Sequence, residues 1–454
     1  MNILLPLETI NREIDFKLVL AGYLSGQGHQ IYIGQNDALM SLVPHMKNGG
    51  IYIGKSMFFQ PARREKGKRY HLLKKHNFGI VYLHEEGGVF EGDKKTHIEV
   101  LQDHYTFDFF DKDFKDDIDV CVWGNFQKSV DQKRSKKVPI HVTGHPRFDV
   151  CKKEWHELYQ SKADEIKKKY KKFILINSNF VTNNHGAGLE YLFCNPLIDS
   201  EKERQTIVSN FVYCSKQFAS MVQLIHNLAI KFPELNFIYR PHPSENMDLS
   251  RTVFFGVKNI FVEHEGSAIP WILASQLLLH DNCTTAIEAR LAGKPVINYK
   301  GHYDKFHDIW LANDMGIQTS DIDEIVFCIQ EAINDKLKMP IDIKTEKYSN
   351  YLHNITGNSY DEFLKIINNK IDKNKQNDKI SYINNQKYFY TYLAKNYLSF
   401  IFKPHKTKYI NYLDQKFYGF KESDINEKLK IISKILNRKI SYKYHNSQLI
   451  SINQ

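Results

Sequence analysis

The chain has 454 residues, 42% hydrophobic and 25% charged, with a formal net charge of +10. That length allows two or three domains with full-sized cores, and the composition is that of a soluble globular protein. Six scattered cysteines (Cys121, Cys151, Cys194, Cys214, Cys283 and Cys328), with no CxxC pair and no zinc spacing, exclude a disulfide scaffold or zinc module and fit a reducing compartment.

The N-terminal "MNILLPLETINREIDF" has too short an apolar run for a signal peptide, with acids soon after it. No segment approaches the roughly 20 apolar residues of a membrane span. A cytoplasmic protein is the expectation. "NILLPL" reads as a strand and "REIDFKLVLAGYLSGQG" as a helix ending in glycine. Then come "QIYIG", a helix from about Asp37, "GIYIG", a helix over "ARREKGKRYHLLKKHNFG", and the strand "IVYLHEEGG" with its exit turn. "DVCVWG" and "IHVTGHPRFD" are further strands. Strands alternating with helices predict an α/β domain over residues 1–150 with a parallel sheet.

Residues 151–170 read as a charged connecting helix, after which the alternation restarts. "KFILINSNF" is a strand, 201–232 a long helix, "LNFIYRPHP" a strand with its loop, and "NIFVEH" a strand. "SAIPWILAS" is a short helix, "LLLHDNCTTAIEARLAG" is strand, loop and helix, and "PVINY" closes the series. This predicts a second Rossmann-like domain over 171–335 and a cleft between the two sheets' C-terminal edges, where open α/β folds bind ligands. A helical return segment (336–370) and a basic, aromatic-rich helical tail (371–454) follow. The tail holds 16 Lys/Arg and 6 Asp/Glu, leaving 46 of each sign in residues 1–370. A neutral body with a basic end suggests an anionic partner surface, such as the inner face of the cytoplasmic membrane, or a small helical appendage packed on the body.

Two loops of the second domain carry candidate chemistry. In "YRPHPSEN", Arg240 offers a planar fork for phosphate and His242 a hydrogen bond to a phosphate oxygen, with Pro241 and Pro243 stiffening the backbone. In "HDNCTTAIEARLAGKP", Thr284 or Thr285 falls at a helix start, with Glu288 in the first turns, which reads as an anion site or an ordinary capped helix. In the first domain, "HEEGGVF" sets Glu85 and Glu86 where a base could face that phosphate across the cleft, or simply closes a strand with a turn.

Glu85-Glu86-Gly87, His242-Pro243 and Thr284-Thr285 resemble, in that order, the D/E-D/E-G, HP and S/T signatures of bacterial sialyltransferases. The wider context "HEEGG", "VTGHPRFD", "RPHPSE" and "HDNCTTAIEA" is similar to surface carbohydrate (capsule and lipopolysaccharide) biosynthesis proteins and β-Kdo transferases. The resemblance covers about residues 1–335. It implies a GT-B-like, two-domain glycosyltransferase that moves a nonulosonate or Kdo-like sugar from a CMP-activated donor to a glycan or glycolipid hydroxyl. It further implies inversion and no metal cofactor. Glu85 would be the base, with Glu86 beside it, and His242 would stabilise the leaving CMP. Thr284 and Thr285 would bind the phosphate. Arg240, Pro243, Ser244, Glu245, Asn282 and Glu288 would shape the nucleotide pocket. Two features depart from the pattern: both acids are Glu, and a second His-Pro, His145-Pro146, ends the first domain as a turn, hinge or acceptor contact.

Other readings stay open. A UDP-sugar or CDP-polyol donor would use the same phosphate loops. The Asp-x-Asp pairs Asp111/Asp113 and Asp117/Asp119 match a metal-dependent transferase only as a pattern, and no Walker A or GxGxxG loop is present. A non-catalytic binding protein would grip nucleic acid or acidic polysaccharide through the tail. The neutral body argues against that as the main role, and nucleic acid is not an expected partner.

Overall fold

The computed structural model describes residues 1–55, 68–85, 118–134, 138–194, 200–304, 307–308, 310–371, 383–402 and 407–453. The first domain's parallel strands are β1 (Asn2–Leu7), β2 (Gln30–Gln35), β3 (Gly50–Gly54), β4 (Phe78–Leu83), β5 (Ile118–Val122) and β6 (Ile140–Val142). They lie in the order β2-β1-β3-β4-β5-β6. Every residue of β1 and β3 is buried, because a parallel sheet is covered on both faces and selects continuous apolar runs.

The second domain repeats the plan with β7 (Phe173–Asn177), β8 (Asn236–Arg240), β9 (Ile260–Val262), β10 (Leu278–His280), β11 (Val296–Tyr299) and β12 (Ile317–Thr319). Their order is β12-β11-β10-β7-β8-β9, all parallel. Each sheet therefore has a topological switch point, at β1 between β2 and β3 and at β7 between β10 and β8. Chain connections diverge to opposite faces there, leaving a crevice at the strands' C-terminal ends. The two-domain α/β, GT-B-like architecture expected from the sequence is the one observed.

The chain returns to the first domain after the second. Helix Ser359–Lys370 buries Tyr360, Phe363 and Ile367 in the same core as Phe16. The path there crosses the ends of β5 and β6 so closely that a Cβ on Gly124 would lie 2.4 Å from the Asn350 carbonyl, and one on Gly144 2.4 Å from that of His353. Glycine is required at both crossings.

The expected all-helical tail needs correction. Helices Ile383–Phe402, Thr407–Lys416 and Glu422–Ile435 do form, but a hairpin follows: β13 (Ser441–Asn446) and β14 (Leu449–Asn453). Strand β14 pairs antiparallel with β2 and completes an eight-stranded sheet among the described residues. "LISIN" supplies the apolar residues, with Leu449, Ile450 and Ile452 fully buried. Gly34 lets the chains meet, since a Cβ there would lie 2.5 Å from the Gln448 carbonyl. The hairpin covers the otherwise open edge of β2, and Ile425, Leu429 and Ile432 of the preceding helix join the first domain's core.

Candidate active site

A cavity of about 100 Å³ lies between the domains at the two switch points. From the second domain, Arg240, His242, Pro243, Thr284, Thr285 and Glu288 line it; from the first, Arg12, Asp15 and Arg147 do. Six of the sequence-predicted donor-side residues thus converge from two loops 40 or so residues apart, because β8 and β10 flank β7 and end on the same side.

Their roles differ. His242 Nδ1 accepts the Ser244 backbone N–H at 3.1 Å. The neutral ring therefore carries its proton on Nε2, as a hydrogen-bond donor. Arg240 is largely committed elsewhere: its guanidinium donates to the carbonyls of Glu265 and Gly266 at 3.1 and 3.0 Å and lies over Trp271. It braces the 265–266 loop, and its two terminal nitrogens do not form the phosphate fork that the sequence suggested. Thr285 Oγ1 accepts from Asn177 at 2.8 Å.

Three predicted residues support the pocket without lining it. Glu245 is fully buried, and its Oε1 accepts from Ser178 Oγ and from the backbone N–H groups of Phe180 and His242, at 2.8 to 3.1 Å. Burial pushes its pKa up. Ser244 contributes the N–H that fixes His242. Asn282 sits at φ 52°, where asparagine is tolerated. It exchanges hydrogen bonds with Asn313, holding the strand-to-helix turn.

Glu85 does not line the cavity. Its carboxylate is sealed inside the first domain, 3.6 Å from Lys17 Nζ and 3.6 Å from His145 Nε2, beyond hydrogen-bonding distance. Neither carboxylate oxygen has a hydrogen-bond partner among the described residues. Burial alone would raise its pKa, but Lys17, His145 and Lys55 outweigh burial and hold it well below the carboxylate range. It connects to the cavity through its backbone carbonyl, which accepts from Arg12 Nη2 at 2.9 Å. Glu86 and Gly87 lie outside the described residues, as do Asp111, Asp113 and Asp117. Asp119 is paired with His141 and Lys370 at 2.6 and 2.5 Å, which leaves the Asp-x-Asp reading at that position without support.

Sequence reasoning missed Arg147. His145 caps the short helix Pro146–Asp149, its Nδ1 accepting the Arg147 N–H at 3.0 Å, the same turn that His242 makes with Ser244. This turn sends the Arg147 side chain across the cleft. Arg147 Nε donates to Glu288 Oε1 at 2.9 Å and Nη2 to Thr284 Oγ1 at 3.0 Å. The signal available was the arginine directly after the second His-Pro.

No family model and no curated protein matches the chain. Solved structures with a similar chain path include a UDP-GlcNAc 2-epimerase from Methanocaldococcus jannaschii, 11% identical over 81% of this chain and 100% of that one, TM-score 0.47. The Neisseria meningitidis UDP-GlcNAc 2-epimerase is 13% identical over 82% and 100%, TM-score 0.42. A glycosyltransferase from Rickettsia africae is 13% identical over 81% and 97%, TM-score 0.42.

Proposed function

We propose that this protein is a glycosyltransferase that binds a nucleotide-activated sugar in the interdomain cleft and transfers the sugar to a hydroxyl of a glycan acceptor. The observation that carries this reading is the convergence of His242, Thr284 and Thr285 with Arg12 and Arg147 in one cavity fed by both switch points. Hydrogen-bond donors fixed before the reaction stabilise a phosphate as it leaves, which is the main task of such a site. His242, with its Nε2 proton, is the leaving-group donor. No metal is needed where arginine and hydroxyl groups take the phosphate charge.

Glu85 is the proposed proton acceptor, kept ionised by Lys17 and His145. Its enclosure means that the acceptor hydroxyl reaches it only once the cleft rearranges. The cavity is smaller than the roughly 300–1,000 Å³ of ligand pockets, so donor binding also requires the domains to part. A larger cavity of about 820 Å³ shares Asn11, His264, Gly266 and Ser267 with the first and runs along the tail at Tyr418, which suits a glycan acceptor.

Two donor classes fit. A CMP-linked nonulosonate or Kdo-like sugar rests on the order of the three motifs. A UDP-sugar, the ligand named for the epimerases above, or a CDP-polyol is the alternative. Calorimetry with CMP, CDP, UMP, UDP and GDP, with and without Mg²⁺, separates them. Metal-independent CMP preference supports the first, UDP or CDP preference the second, and no nucleotide binding refutes the transferase.

Among the described residues no helix is long and apolar enough to cross a membrane. Helix Ile383–Phe402 exposes Tyr390, Leu393, Tyr397 and Leu398 at helical spacing beside Lys387 and Lys395. Together with the basic excess of the tail, this supports peripheral docking on anionic lipid at the inner face of the cytoplasmic membrane.

A further inference from the structure

Arg147 is 3% exposed, and two of its three nitrogens are satisfied across the cleft by Thr284 and Glu288. The third, Nη1, has no hydrogen-bond partner among the described residues and lies in a residue that lines the cavity. A buried guanidinium N–H left unpaired costs free energy unless something occupies it part of the time. Arg147 lines the same cavity as His242 and Thr284, both hydrogen-bond donors. Arginine there is permanently charged and keeps one terminal nitrogen, Nη1, for a phosphate oxygen, where Arg240 keeps neither of its two. Glu288 takes the Nε–Nη2 edge of the guanidinium and fixes its plane, and Thr284 shares Nη2.

We propose that Arg147, supplied by the first domain, is the principal phosphate-binding residue of the cleft, with Glu288 as its positioning residue. The inference rests on the nucleotide-sugar reading for its ligand, a phosphate mono- or diester of a nucleoside, but the anion site itself does not depend on the base. It changes the division of labour: phosphate recognition is shared by both domains, so donor binding and the relative position of the domains are coupled. Thr284 then either shares the phosphate or gives up Arg147 to it.

The test compares ligands that differ only in phosphate. Binding of cytidine, CMP, uridine, UDP and inorganic pyrophosphate is measured on the parent protein, Arg147→Lys, Arg147→Met and Glu288→Gln, with urea midpoints to verify folding. Arg147→Met is expected to weaken nucleotide and pyrophosphate binding on the order of 10- to 100-fold while nucleoside binding stays within about twofold. Arg147→Lys should fall between, because it keeps the charge and loses the fork. Glu288→Gln should weaken the nucleotides by less than Arg147→Met and leave nucleosides unmoved, a pattern that loss of packing would not give. Equal weakening of nucleoside and nucleotide, or unchanged nucleotide binding in folded Arg147→Met, overturns the proposal. Pyrophosphate binding that needs Arg147, in a protein that binds no nucleotide, keeps the anion site and removes the transferase reading. A parent that binds none of the phosphates overturns both.

Discussion

Gln415 holds the loop that carries Pro243: its side-chain amide donates to the carbonyls of Pro243 and Glu245, 2.9 Å each. A residue of the basic tail thus braces the loop that presents His242. Gln415→Ala removes two neutral hydrogen bonds, about 1 kcal/mol apiece. The urea midpoint is expected to fall by the equivalent of about 2 kcal/mol at unchanged m-value, and nucleotide affinity roughly 3- to 10-fold as the loop loses its brace. Isothermal calorimetry of the variant against the parent measures it.

Glu85→Gln keeps the backbone carbonyl that Arg12 uses but removes the charge facing Lys17 and His145. Turnover is expected to drop by at least about 100-fold if the carboxylate takes the proton. Nucleotide binding should persist. The melting temperature should also fall, because Lys17 loses part of its buried compensation. Turnover equal to the parent's would refute the base assignment.

His242→Ala should lower turnover by about 100- to 1,000-fold, the usual loss when one preorganised donor to a leaving oxyanion is removed. His242→Asn should recover part of it, since the amide can donate a hydrogen bond. A single-turnover assay with the donor identified by the nucleotide series reads the effect directly.

Stability should fall as pH drops below about 6.5. Burial lowers the pKa of His29, His185, His264 and His445 to about 4 and of His280 to about 3. The unfolded chain therefore binds these protons first, and the native state loses ground between pH 6.5 and about 4. Asp281 works against them: burial, then the Asp308 charge, raises it to about 7, so the native state gains as pH falls from 7 toward 4. Five histidines outweigh this aspartate, and urea midpoints at pH 7.5, 6 and 4.5 should decline in that order.

Deleting residues 371–454 should yield insoluble or unfolded protein, because it strips β14 from β2 and removes Ile425, Leu429 and Ile432 from the core. The membrane reading is therefore tested on the surface. Lys387→Glu with Lys395→Glu should reduce cosedimentation with phosphatidylserine-containing vesicles several-fold, and the reduction should vanish in high salt. Unchanged sedimentation would remove the membrane from the account.

The two βα domains could be read from the sequence because their signals are local. "NILLPL", "GIYIG" and "KFILIN" are apolar on both faces, and periodicity separates them from the helices between. The two cavity-lining loops were legible for the same reason: "RPHPSE" and "HDNCTTAIEA" each follow a strand, and strand ends in such a sheet face the crevice. The β14 strand was not legible. Its sequence fits a strand, but lysine-rich helices dominate the preceding 60 residues, and its partner β2 lies more than 400 residues away in the chain.

The sequence by itself determined the tandem α/β plan and the group of residues that would meet at the second sheet's edge. Only the tertiary structure decided which partners each of them has. Arg240, the obvious phosphate ligand in the sequence, donates to two carbonyls and lies over Trp271, and Arg147 from the other domain lines the same cavity. Glu85 sits behind the cleft wall, next to Lys17 and His145. Strand and helix signals arise within a few neighbouring residues. Which side chain is free to touch a ligand depends on partners 25 to 141 positions away, and those are brought together by packing.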